Sequence, residues 1–169
     1  MNNPALSIIS AIIIGLGATL IFDLWGWFLN RAFKVAPSNI CLVGRWLRYM
    51  PGGIFVHSNI GSVPRKRAEC TVGWIAHYLI GITFAYIFVA FAGSNWLENP
   101  TPVPAIAFGA VTVLAPFVIM QPSMGLGVAA SRVSNSTQAR LRSLLNHTAF
   151  GAGLYLFGLL VNRLLFSSY

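Results

Sequence analysis

The sequence predicts an all-α polytopic membrane protein. The expected architecture is a four-helix transmembrane bundle with a short interfacial amphipathic helix, forming a single transmembrane domain over residues 1–169. Three observations predict it. Of the 169 residues, 56% are hydrophobic and only 8% are charged, whereas a soluble domain carries about 25% charged residues. Mean hydropathy is +0.72, and four apolar runs each reach the roughly 20 residues needed to cross hydrocarbon. The basic residues behind the net charge of +8 gather in two of the three connections. This composition excludes a soluble enzyme, a disordered chain and a nucleic-acid-binding domain.

The four runs cover about residues 5–30, 70–92, 103–130 and 143–166. Each is too long and too poor in charge for a strand, and none alternates as an outer-membrane barrel does. The first carries Asp23 as its only charge. The leading Met1-Asn2-Asn3-Pro4 lacks a basic n-region, so the first run reads as a retained helix. The connection 31–69 holds Arg31, Lys34, Arg45, Arg48, Arg65, Lys66 and Arg67, and 131–142 holds Arg132, Arg140 and Arg142. Seven plus three makes ten of the eleven basic residues. By the positive-inside rule both connections face the cytoplasm of a bacterial inner membrane, and both termini face the periplasm. Arg163 snorkels at the outer interface.

Within the long cytoplasmic loop, Leu42, Val43, Trp46, Leu47 and Met50 recur at helical spacing, with Arg45 and Arg48 on the other side. Pro51-Gly52-Gly53 stops this run. It reads as a helix lying on anionic headgroups. Cys41 and Cys70 do not form a CxxC pair; on the cytoplasmic side their thiols are expected to stay reduced.

Three ionisable residues fall inside the apolar runs: Asp23, His77 and His147. Such groups are costly in hydrocarbon and face protein or a wet cavity. Each sits on a stripe of small or polar residues. These are Gly15, Thr19, Asp23, Gly26 and Asn30; Gly73, His77, Gly81 and Ala85; and Ser143, His147, Gly151, Tyr155, Gly158 and Asn162. Small residues let helix backbones approach, so the stripes mark interior faces. At about 1.5 Å rise per residue, Asp23 lies about 12 Å from Arg31, His77 about 15 Å from Arg67 and His147 about 7 Å from Arg142. In the third run, Pro116 and Pro122 break the helix around Gln121, freeing the carbonyls of Thr112 and Val118. The expectation is one shared site of Asp23, His77, Gln121 and His147, with Tyr155 nearby. Arg45, Arg132, Arg140 and Arg142 stand ready for an anion or headgroup. The plainer alternative is that these groups only hold the bundle together.

The sequence resembles the small bacterial inner-membrane proteins grouped as domain of unknown function 2938. The resemblance spans nearly the whole chain. It rests on Gly17-Ala18-Thr19 with Asp23-Leu24-Trp25, on Leu42-Val43-Gly44-Arg45-Trp46, and on Gly73-Trp74-Ile75-Ala76-His77-Tyr78. It continues in Pro116, Gln121-Pro122-Ser123-Met124-Gly125, Gly127, Ala129-Ala130-Ser131-Arg132, Arg140-Leu141-Arg142-Ser143-Leu144, His147 and Phe150-Gly151. It implies an inner-membrane location and no particular chemistry.

Four functions fit these residues. The first is binding or transport of a small solute, ion or proton, since an Asp and two His at one depth can carry protons; four helices would then call for a homodimer. The second is a membrane enzyme or binder acting on an anionic lipid or polyprenyl phosphate, with Arg on phosphate. The third is metal or haem binding by Asp23, His77 and His147. The fourth is an accessory structural subunit. No HExxH, P-loop or nucleophile elbow is present, so a non-enzymatic role is favoured.

Overall fold

The structure, a computed structural model, describes residues 4–166, and every regular element among them is helical. α1 spans Pro4–Phe33, α2 Ile40–Tyr49, α3 Glu69–Ala92, α4 Ser94–Glu98, α5 Pro102–Val111, α6 Gln121–Ser123 and α7 Ser136–Val161. Among the described residues, four stretches are long and apolar enough to cross a membrane: Ala5–Phe33, Glu69–Ala92, Pro102–Ser123 and Ser136–Phe166.

Two boundaries differ from the sequence reading. The third span ends at Ser123, not near 130, because Gly125 turns into the left-handed region at φ +88°. The fourth begins at Ser136 because Asn135 caps it, its Oδ1 accepting the Gln138 N–H at 3.2 Å. Arg140 and Arg142 therefore stand on a helix and not in a loop. The prolines act as expected on the third span: α5 stops at Val111, and a π turn occupies Pro116–Met120 before α6. The Thr112 carbonyl is not left free, however. It accepts the Ala115 N–H at 3.1 Å, since the chain tightens where the helical bond is lost.

Contacts group the chain into two compact units. One comprises residues 4–37, Tyr78–Val111 and 145–166; the other comprises Ser38–His77 and Thr112–Leu144. In the first, α1 runs antiparallel to the α3 and α7 segments beside it, because small residues let the backbones meet. A Cβ on Gly15 would strike the Ile82 backbone, and one on Gly153 would strike Ala18. Gly109 and Gly151 face each other between α5 and α7. Ile14, Ala18, Ala85, Phe88, Ala105, Phe150 and Leu154 are buried around these crossings. α4 closes one end: Trp96 stacks edge-on to Phe88 at 4.6 Å, and Asn162 donates to the carbonyls of Leu97 and Glu98 at 2.9 and 2.7 Å.

In the second unit, α2 forms where the hydrophobic pattern predicts it, but it docks by its other face. Gly44 and Arg45 are the buried residues of α2. Gly44 lies against the Glu69 carbonyl and Gly73, and Gly73 against the Ile40 carbonyl. Leu42, Val43, Trp46, Leu47 and Met50 are left half-buried on the opposite arc. Cys41 and Cys70 are joined by a disulfide. This corrects the expectation of two reduced, independent thiols. That expectation came from compartment alone, whereas the close Gly44–Gly73 crossing sets both cysteines on facing turns.

Candidate functional site

The first unit holds a polar group inside the membrane span. Asp23 on α1 accepts a hydrogen bond at 3.1 Å from the Tyr78 hydroxyl on α3. The antiparallel register that pairs Thr19 with Gly81 brings Asp23 opposite Tyr78 one turn further along. Thr19 satisfies itself by donating to the Gly15 carbonyl at 2.7 Å, so Asp23 carries the polar chemistry of this stripe. His147 on α7 reaches the same level, edge-on to Phe22 with ring centroids 5.6 Å apart. Tyr155 lies two turns further along α7, about 12 Å by helical rise, packed against the apolar core.

The four residues expected to share one site are divided between the units. Asp23 and His147 belong to the first, His77 and Gln121 to the second. His77 stands edge-on to Trp74 at 5.8 Å. Gln121 is buried, and its Oε1 has no hydrogen-bond partner. Among the described residues, no three His, Cys, Asp or Glu side chains are grouped as metal ligands.

The second unit is organised by Arg45, which the sequence reading placed on the exposed side of α2 as a headgroup ligand. It is instead 6% exposed and paired with Glu69. Nε and Nη2 reach Glu69 Oε2 and Oε1 at 2.8 and 2.7 Å. Nη1 donates to the carbonyls of Ile60, Gly61 and Val63 at 3.2, 3.4 and 3.2 Å. Glu69 also accepts the Lys66 N–H at 2.9 Å. The hydrogen bond to Glu69 raises the Arg45 guanidinium above its usual range, against the opposing effect of burial. A guanidinium with five donors in a fixed fork suits this stitching role. The other three arginines differ: Arg132 and Arg140 are exposed, and Arg140 Nε donates to the Ala129 carbonyl at 2.8 Å, while Arg142 is half-buried.

The loop below Arg45 is packed against the turn that follows α6. The His57 and Ile60 N–H groups bond the Ser123 and Met124 carbonyls at 2.8 and 3.0 Å, and Gly125 lies against the Ser58 carbonyl. His57 is buried, edge-on to Tyr49 at 5.0 Å.

Sequence reasoning missed Tyr78, Glu69 and His57. Tyr78 could have been found, because it sits three residues before Gly81 on the same interior stripe as Ala85. Glu69 is one of only three acids in the chain, and it stands at the start of an apolar run, where a helix begins. His57 lies in an irregular loop with no periodicity to mark it.

A family model described as "Protein of unknown function (DUF2938)" matches residues 12–161. No curated protein and no solved structure matches the chain.

Proposed function

The chain belongs to the DUF2938 family of proteins of unknown function, and from that premise we propose that it binds or transports a small solute, ion or proton, with Asp23 as the group that takes up the proton or cation. The Asp23–Tyr78 hydrogen bond carries this reading. A carboxylate at membrane depth is expensive unless something answers its charge. The Tyr78 phenol donates one hydrogen bond to it, and a carboxylate's two oxygens have the acceptor capacity to hold a proton or a small cation as well. His147 at the same level supports the reading, since an imidazole can take up or hand on a proton near neutral pH.

The protein sits in the bacterial inner membrane with the basic connections in the cytoplasm and both termini in the periplasm. Ten of eleven Lys and Arg residues favour this orientation; the Cys41–Cys70 bond pulls the other way, toward an oxidising compartment. The charge bias carries the assignment because it sums many residues. Arg132 and Arg140, both exposed, meet anionic headgroups, and a homodimer supplies the further helices a pathway needs.

Proteoliposomes containing a trapped pH indicator test the proposal under an imposed proton or monovalent-cation gradient. Flux above that of empty vesicles is expected, and it should be lost in Asp23→Asn while that variant elutes and melts nearly as the parent does. Flux equal in the parent and Asp23→Asn, or absent in both, overturns it.

A further inference from the structure

A groove of about 680 Å³ runs along the first unit between α1 and α7. Leu24, Trp25 and Phe28 line one wall, and Leu145, Ala149 and Ala152 the other. Leu24 and Phe28 are 50% and 45% exposed, so the groove is open along its length. Ala149 and Ala152 keep their wall low because they carry almost no side chain.

Two further features are polar. The Leu24–Phe28 row continues after three residues to Arg31 in the last turn of α1, with Lys34 just beyond. Both cations are exposed. At the other end of Phe28, the Trp25 indole N–H is buried without an acceptor. Phe22 meets His147 and Ala18 meets Gly153, a register that sets Trp25 at the level of Leu145 and Asn146. Asn146 is 4% exposed, and its Oδ1 also has no partner. Of the two, Trp25 lines the groove and Asn146 does not, so the groove wall carries one unsatisfied donor, about 9 Å below Arg31 by helical rise.

We propose that this groove is a binding site for an anionic glycerophospholipid. One acyl chain lies against Leu24, Phe28 and Ala149. The ester region lies at the Trp25 level, where a carbonyl accepts the indole N–H. The phosphate meets Arg31 and Lys34. Charge complementarity selects this occupant: the basic end attracts an anion, and the apolar length below it suits a chain. A helix from a second copy would fill the apolar wall but leave the two cations unanswered. The inference does not depend on the role proposed for Asp23.

Native mass spectrometry of the detergent-purified chain, with phosphatidylglycerol or phosphatidylcholine added, tests it. Retention of phosphatidylglycerol over phosphatidylcholine is expected. Arg31→Gln with Lys34→Gln, both at exposed positions, should cut that preference about tenfold or more, the loss expected from two basic side chains at a lipid surface. Ala149→Trp should displace the bound lipid by filling the groove. Equal retention of the two lipids, an unchanged preference in the double variant, or a dimer that Ala149→Trp disrupts without loss of lipid overturns the proposal.

Discussion

Arg45 grips Glu69 through two nitrogens, at 2.8 and 2.7 Å, across 24 residues of sequence. The same guanidinium holds the carbonyls of Ile60, Gly61 and Val63, so one side chain ties α2, the following loop and the start of α3 together. Breaking such a buried pair strands the surviving charge. Arg45→Ala or Glu69→Ala should each cost about 3–5 kcal/mol. The double variant Arg45→Ala with Glu69→Ala should lose less than the two single losses added. Thermal unfolding in detergent, followed by intrinsic fluorescence, measures this; strictly additive losses would contradict the pairing.

Tyr78→Phe removes the hydroxyl that donates to Asp23 and keeps the ring. A hydrogen bond to a charged group contributes about 1.5–3 kcal/mol. The variant should melt earlier and keep part of the flux that Asp23→Asn abolishes. A Tyr78→Phe protein that melts and transports as the parent does would show that the bond carries neither stability nor function.

Two glycines form a matched pair of tests. A Cβ at Gly44 would press into the Glu69 carbonyl and Gly73, whereas one at Gly26 would meet nothing within 4 Å. Gly44→Ala should therefore destabilise by about 1–3 kcal/mol, the usual cost of overpacking. Gly26→Ala should be neutral or gain up to about 1 kcal/mol from helix propensity. The melting temperatures of the two variants decide it, and similar values would contradict the close crossing of α2 and α3.

The cysteines test the orientation. If the basic connections face the cytoplasm, where thiols are kept reduced, Cys41 and Cys70 should be unbridged in the cell even though the fold sets them within bonding distance. Maleimide labelling of cells lysed directly into denaturant should then modify both thiols, and a membrane-impermeant reagent applied to intact cells should modify neither. A pair already protected in the cell, released by a reductant, would place that side in the periplasm.

The spans were legible because a helix in hydrocarbon satisfies its own backbone, so length and continuous apolarity are sufficient evidence for it. The extents predicted for the first two runs agree closely with α1 and α3. The small-residue stripes were legible for a related reason. Only glycine and alanine permit the approaches seen at Gly15 with Ile82 and at Gly109 with Gly151, and helical spacing puts them on one face before any partner is known. α2 was legible as an amphipathic segment, although its docking face was not.

What the sequence by itself determined is therefore local: which segments are helices, where prolines interrupt the third, and which faces of the long helices carry the small residues. Partner choice was decided only by the tertiary structure. Asp23 finds Tyr78 55 residues away, beside the histidine that the stripe favoured. Arg45 turns from lipid to Glu69, and Cys41 meets Cys70, 29 residues apart. Periodicity reports the face a residue occupies, but not the helix packed against that face or the register in which it lies. Those depend on close crossings such as Gly44 with Gly73 and Thr19 with Gly81, where the steric fit of two distant backbones selects which polar groups can meet.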